Sequence, residues 1–401
     1  MLLVSLSLVL LAPVRQVSFA EARSAAVRAP DVQIETRRAE IVRSRVTRAH
    51  TFANPTLMLT TAKESARLGA GLTVPVQIFG QRGAAVRAAK SDAKAALLGI
   101  GVTRAEARWN TTIAWIDVWE AQERARLLAA SAADAAQLHA IAVLQFDAGG
   151  GARLDVVRTN AVRARARADA DAARLAIAAA TARLAPWIGA PLRGDLRVSG
   201  APGFPDDLPP LEVLEQRASG HPALAHDRAA IRAAELHIAA ERRQIWPSID
   251  LSLTVNMFDP TFTGAPDVIL GVAFAIPIFD QRSGPIERAE GQRSLAQLIE
   301  KTDAQRFRSA LIDAYRRSQS ARAKLRALRE DVLPAMAEAR AMTNEGYRAG
   351  RIDLLHVLDA QRSIVESQVD EMTSIAAFAR AAADLERALG VDLAQGKTHA
   401  H

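Results

Sequence analysis

The chain has 401 residues and no cysteine. Disulfides, thiolate metal sites, a cysteine nucleophile and lipid attachment through an N-terminal cysteine are therefore excluded. Aromatic residues make up only 4% while apolar residues reach 49%, so any interior must be built largely from Ala, Leu, Val and Ile. That composition favours closely packed helices over a bulky core and argues against extended disorder. Beyond the N-terminus no uninterrupted apolar run has the length of a transmembrane helix. A chain of this kind crosses a membrane only as strands.

Signatures of catalysis are missing as well. His221 and His226 are five apart beside Pro222, His237 stands alone, and His399 and His401 belong to a terminal tail, 394–401, expected to be disordered. No phosphate-binding glycine loop, nucleophile elbow or paired-carboxylate site is present. The triple glycine Gly149 to Gly151 follows a helix and breaks it. These residues specify no enzyme, no cofactor and no metal site. The net charge of +7 does not point to nucleic acid either. Basic and acidic residues alternate along helical stretches such as "RRSQSARAKLRALREDV", the pattern of a solvated face, with no interleaved aromatics to stack on bases.

What is present begins with "MLLVSLSLVLLAP", too short to span a bilayer as a helix but suited to the hydrophobic region of a secretory leader. Ser18-Phe19-Ala20 offers a small-x-small cleavage site, so 1–20 reads as a signal-like segment. Its lack of preceding basic residues fits a start lying upstream of Met1.

The chain then repeats itself. "IFxQR" falls at Ile78 to Arg82 and again at Ile278 to Arg282, 200 residues apart. "FDAGGGARLDVV" from Phe146 matches "YRAGRIDLL" from Tyr347 at an offset of 201, and "NPTLMLTT" at Asn54 matches "WPSIDLSL" at Trp246 at 192. "ARLAPWIGAPL" closes the first half as "LERALGVDL" closes the second. Four matches in one order indicate a tandem duplication. The copies are 21–199 and 213–393, joined by a Pro- and Gly-rich linker over 200–212. Each copy reads as a helix (about 17–50; about 210–245), two strands, and two long helices separated by glycine.

The strands have opposed faces. In "IDLSLTVNM", Ile249, Leu251, Leu253, Val255 and Met257 alternate with Asp250, Ser252, Thr254 and Asn256. Leu72, Val74, Val76 and Ile78 share one face of their strand, and Val268, Leu270, Val272, Phe274 and Ile276 one face of theirs. The strand from Thr56 to about Thr61 alternates less cleanly. Strands of nine or ten residues suit a tilted crossing of the hydrocarbon layer. Four strands cannot close a barrel around a pore, and open edges are not tolerated in lipid, so membrane strands require several copies to share one barrel. After the strands, Gly83 to Phe146 and Ser283 to Tyr347 run helical with few breaks, Pro334 bending the second. Trp109, Ile113, Ile116 and Trp119 fall at coiled-coil spacing. Glycine then reverses the chain at Gly149 to Gly151 and at Gly350, and helices return from about Asp155 and Asp353.

With this duplicated plan, "TVPVQIFGQRG", "IPIFDQRSG" and "YRAGRIDLLHVLDAQ", the chain resembles the TolC-like outer-membrane efflux proteins, in particular the outer-membrane component of heavy-metal (RND-type) tripartite exporters. The resemblance covers Val17 to Asp392. It implies a mainly α fold with a small membrane β part: tandem long helical hairpins forming an α-helical barrel, and four strands per protomer contributing to a trimeric twelve-stranded β-barrel. It also implies a homotrimer in the outer membrane extending into the periplasm, a periplasmic adaptor (membrane fusion protein) and an inner-membrane pump of RND type. Carried over by motif, the adaptor-docking residues are Gly149, Leu154, Asp155, Gly350, Arg351, Ile352, Asp353 and Leu354. Asp353 and Asp359 are the counterparts of the aspartates that narrow the closed channel. Ile249, Leu251, Leu253, Val255 and Met257 would face lipid, and Asp250, Ser252, Thr254 and Asn256 the lumen. The acylated cysteine of many relatives is absent, and the first tip reads as two residues longer than the second.

The implied function is an outer-membrane exit duct that passively conducts heavy-metal cations out of the periplasm. Two readings compete with it: the same duct serving drugs or a secreted protein, and a soluble periplasmic coiled-coil scaffold or adaptor whose strands merely cap the helices.

Overall fold

The structure, a computed structural model, describes residues 15–61, 68–191, 196–205, 207–257, 266–349 and 351–393. The segment 1–14, Gly350 and the tail 394–401 therefore lie outside the described residues. The chain forms two compact units, one within 1–33, 103–221 and 306–401, the other within 34–102 and 222–305.

The first unit opens with a strand where a continuous helix is expected. β1 (Arg15–Ser18) pairs in parallel with β4 (Leu196–Ser199). Ser18 then caps α1 (Phe19–Ala25), its hydroxyl accepting the Glu21 N–H at 3.2 Å. A 3-10 turn at Ala26–Arg28 and Pro30 separate α1 from α2 (Pro30–His50). Proline is tolerated at the first position of a helix but not inside one, so the helix expected over 17–50 is divided there. The helix expected over 210–245 is likewise two, α5 (Leu211–Ala218) and α6 (Pro222–Arg243), with Pro222 at the start of the second.

The returning helices lie close to expectation. α3 (Gln81–Asp147) has 67 residues, and α4 (Arg153–Ile188) follows the first glycine turn. α7 (Ser283–Ala327) continues through a π-helical turn at Leu328–Val332 into α8 (Leu333–Arg348), and α9 (Leu354–Leu389) follows the second turn. The π turn immediately precedes Pro334, whose missing N–H cannot close the ordinary ladder. α4 ends at Gly189 with φ 64° and α9 at Gly390 with φ 69°, left-handed caps 201 residues apart.

Side chains from both ends of the chain make the core of this unit. Val17, Phe19, Trp115, Ile116, Leu184 and Met372 pack together, and the Trp115 indole donates to the Val17 carbonyl at 3.0 Å. The seam expected at Trp109, Ile113, Ile116 and Trp119 is wider than a coiled-coil stripe. Trp115 and Val118 are fully buried too, because α3 is covered there from several sides. Trp109 is instead held by Asp384, which accepts its indole N–H at 2.8 Å, and by the Arg387 guanidinium 4.0 Å above its ring. α3 contains an 18-residue window of mean hydropathy 1.5, apolar enough by length and composition to cross a membrane, of which 17% is buried.

The second unit carries a four-stranded antiparallel sheet of β2 (Thr56–Thr60), β3 (Leu68–Val76), β5 (Ile249–Met257) and β6 (Asp267–Phe274), in the order β2-β3-β5-β6. Small side chains let α3 and α6 approach: Ala84 and Ala88 meet Ala240. A polar pair joins the same two helices, with His237 Nε2 2.9 Å from Asp92, and Arg228 of α6 lies 3.5 Å from Glu300 of α7. The His237 pKa is raised, chiefly by the hydrogen bond to Asp92.

Candidate functional site

The register of the sheet sorts its side chains into rows. Leu57, Leu72, Leu253 and Leu270 stand side by side across all four strands. Val74, Leu251 and Val272 form the next row of the same face, then Val76, Ile249 and Phe274. Towards the other end Leu59, Ala70, Val255 and Val268 align, and Met257 is opposite Leu68. Every residue of this face is apolar, and most are open to their surroundings, Leu270 at 81% exposure. The five apolar residues picked out on β5 thus belong to one sheet-wide apolar face.

The opposite face is polar or small except at Met58 and Ile269. Thr56, Thr73, Ser252 and Gly271 make one row, Thr60, Gly69, Asn256 and Asp267 another, and Asp250 lies between Pro75 and Ala273. The glycines are required for space. A Cβ on Gly69 would meet Thr60 Oγ1 at 2.5 Å and Asn256 Oδ1 at 2.9 Å, and one on Gly271 would meet Ser252 Oγ at 2.5 Å. The β5 side chains lean over neighbouring strands that offer no side chain in return. The imperfect alternation of β2 has a location too: Met58 lies on this face, in a row with Gly71, Thr254 and Ile269.

The hairpin tips share one backbone design. At the first, the N–H groups of Gly150 and Gly151 both donate to the Gln145 carbonyl at 2.9 and 3.0 Å. At the second, those of Arg351 and Ile352 both donate to the Gly346 carbonyl at 2.8 and 3.2 Å. All three positions shift by 201, so the first turn is not two residues longer, as the motifs alone suggest. Ala152 and Asp353 occupy the matching N-cap positions, while Asp155 sits in the first turn of α4.

The tip residues then separate by environment. Gly149, with φ 77°, Leu154, Arg351 and Asp353 are exposed, and Asp155 and Ile352 half-buried. Leu354 is 2% exposed, packed with Leu138 and Val357, so it binds α9 to α3 and offers no docking surface; the adjacent Leu355 is exposed instead. Asp359 is exposed, but six residues turn it about 120° away from Asp353 around the helix. Sequence reasoning missed the clasps between the tips: Tyr347 Oη donates to Gln145 Oε1 at 2.9 Å, and Arg340 pairs with Asp134 at 2.8 Å. Burial, then the charges of Asp155 and Asp353, raise the Tyr347 pKa, which keeps its hydroxyl a proton donor.

An apolar sheet face of membrane length, a mostly polar opposite face and long paired helices are the features of a membrane channel subunit. Residues 213–391 match the outer membrane efflux protein family, so this part of the chain is an outer membrane efflux protein domain. The chain is similar to the cobalt-zinc-cadmium resistance protein CzcC of Cupriavidus metallidurans, 26% identical over 353 residues that cover 86% of this chain and 83% of that protein. It is also similar to the pyoverdine export outer membrane protein OpmQ of Pseudomonas aeruginosa, 25% identical with 82% and 70% covered. Its fold matches a crystal structure of CusC, from work on folding and transmembrane channel formation, at a TM-score of 0.76 and 17% identity over 93% of this chain and 92% of that one. The resemblance to TolC-like channels is thereby established, and with it the outer membrane as the location of the chain.

Proposed function

We propose that the chain is the exit duct of a tripartite efflux system and that heavy-metal cations are its cargo. The sheet supports the reading: one wholly apolar face, one mostly polar face, and edges at β2 and β6 that each have a single neighbour among the described residues. Hydrocarbon does not tolerate unpaired strand edges, and four strands enclose no pore. Three copies closing twelve strands satisfy both requirements. Because the four strands alternate in direction, β6 of one copy meets β2 of the next antiparallel. Ile249, Leu251, Leu253, Val255 and Met257 then face lipid, and Asp250, Ser252, Thr254 and Asn256 face water.

The recurrence of turn bonds and helix caps at 201 residues supports a tandem duplication of strands plus helical hairpin. In the duct the two tips dock a periplasmic adaptor that connects to an RND-type inner-membrane pump. Gly149, Leu154, Asp155, Arg351, Ile352 and Asp353 contribute to that surface, and Asp353 is the better placed of the two aspartates to narrow the closed end. Gly350 lies outside the described residues. The metal cargo is supported by the likeness to CzcC; the likeness to OpmQ favours an organic export substrate as the second reading.

We place the end of the leader before Arg15, because cleavage at Ser18-Phe19-Ala20 would remove Val17 and Phe19 from the core. N-terminal sequencing of the mature protein checks that boundary.

Fractionation tests the duct. The protein should require detergent and run as a heat-sensitive trimer; a water-soluble monomer overturns the reading. Cells lacking it should lose tolerance to cobalt, zinc or cadmium. Unchanged tolerance in those cells, where the protein from the parent strain does form the trimer, transfers the cargo to the organic class.

A further inference from the structure

The repeated "IFxQR" is the motif to which the duct assigns no role. In each copy it joins a membrane strand to a long helix: β3 ends at Val76 and α3 starts at Gln81, β6 ends at Phe274 and α7 starts at Ser283. There the apolar face does not stop with its last row. It continues into an apolar groove of about 450 Å³, walled by Phe79, Trp246, Pro247, Ile249, Phe274 and Ile276. The Phe79 and Trp246 rings stack with centroids 5.2 Å apart and planes 29° from parallel. The wall is fixed from behind. Gln81, 4% exposed, donates its Nε2 to the carbonyls of both Trp246 and Pro247, at 3.0 and 3.2 Å.

Two arginines lie just before Trp246 in the chain. Arg242 and Arg243 end α6, and the Trp246 N–H approaches the Arg243 carbonyl at 3.4 Å. Arg242 pairs with Glu290 at 2.9 Å and Arg282 with Glu241 at 2.7 Å, while Arg243 is exposed. Phe279, from the second copy of the motif, is 98% exposed. An apolar slot, an amphipathic indole at its mouth and an exposed guanidinium one turn away follow the order of chemistry met on leaving a hydrocarbon layer for a phosphate layer.

We propose that this groove seats an acyl chain of a phospholipid in the periplasmic leaflet of the outer membrane, with Arg243 at its phosphate. The inference rests on the membrane-duct reading and adds a ligand site to it. Continuity with the apolar face argues for lipid, since Ile249 and Phe274 belong to both. The groove is walled both by the inner strand β5, at Ile249, and by the end of β6, at Phe274.

The test uses the full-length trimer in vesicles of phosphatidylethanolamine and phosphatidylglycerol, brominated either just below the headgroup or near the methyl end. Trp246 emission is isolated by subtracting that of Trp246→Phe. It should be quenched more by the shallow bromine than by the deep one. Arg243→Glu should lose phospholipid phosphorus that copurifies with the wild-type trimer, with the trimer still heat-sensitive and intact. Absence of quenching by either bromine, in protein that floats with the vesicles, overturns the site. Blue-shifted but unquenched emission in that floating protein also overturns it and assigns the groove to a protein neighbour. Protein that does not float at all overturns the duct reading together with the site.

Discussion

Gly346 leaves the space that Ile352 fills. A Cβ on Gly346 would lie 2.7 Å from Ile352 Cγ1 and 3.3 Å from its Cβ, because the turn bends the chain back onto its own helix. At the other tip the sizes are exchanged. The matching pair is Gln145 and Gly151, and there a Cβ on Gly151 would lie 3.0 Å from the Phe146 backbone nitrogen and 3.1 Å from Gln145 Cβ. Glycine thus stands on opposite sides of the two turns, facing a side chain at the second tip and both backbone and side chain at the first.

Gly346→Ala should consequently destabilise the second tip by about 1–3 kcal/mol, the range for overpacking. Ile352→Gly added to it should recover most of the loss, as the space is then vacated from the other side. Denaturant unfolding of the single and double variants measures the coupling. Strictly additive effects would show that the two residues do not compete for one volume.

A charge on the apolar sheet face should cost far more than one on the polar face. Leu253 stands in the row of four leucines, so Leu253→Arg places a guanidinium in hydrocarbon at roughly 2–4 kcal/mol near mid-membrane. Thr254→Arg, one residue on, should assemble normally because its row faces water. Heat-sensitive trimer in the outer membrane fraction is the readout. Equal assembly of both variants would reverse or remove the assigned facing.

Much of this was legible because both signals are periodic. Ile249–Met257 has the bounds that its alternation predicts, since a two-residue period with one apolar face fixes pairing and register together. The tips were legible through glycine. The parallel pair β1–β4 was not: four residues per strand, about 180 positions apart, leave no local pattern, and β1 lies in a stretch that reads as part of a leader. Leu354 was misplaced because a motif shows which residues recur and not which way they point. Tyr347 and Gln145 were invisible for the opposite reason. Their bond joins the two tips, and each residue alone is an ordinary polar position.

The junction between the two ends of the chain should respond to pH near neutrality. Arg23 bridges Glu386 at 2.7 Å and Asp392 at 3.0 Å, so one guanidinium serves two acids. Burial, only partly offset by Arg23 and by the Leu393 N–H, pushes the Glu386 pKa up to about 7 from 4.5. Between those values the folded chain holds a proton that the unfolded chain has released. Stability from this group is therefore fully present below pH 4.5 and is lost as pH rises through about 7, by up to about 3 kcal/mol. Glu386→Gln should flatten the pH dependence of thermal unfolding across that interval. An unchanged slope would place the titration elsewhere.

At the second tip, adjacent leucines should separate folding from docking. Leu354 is packed with Leu138 and Val357, so Leu354→Ala removes buried methyls and should cost about 2–5 kcal/mol in stability. Leu355, 47% exposed one position on, has no such cluster to lose. Leu355→Asp should leave the trimer and its unfolding midpoint intact while abolishing export and capture of the adaptor. The direction of the side chain decides the outcome, since both substitutions fall within one turn of α9. Asp353→Arg should behave like Leu355→Asp, as Asp353 is exposed at the N-cap and its side chain makes no capping bond. Normal export in both of these variants, with trimers unaffected, would take the docking surface away from this tip and leave it to the first.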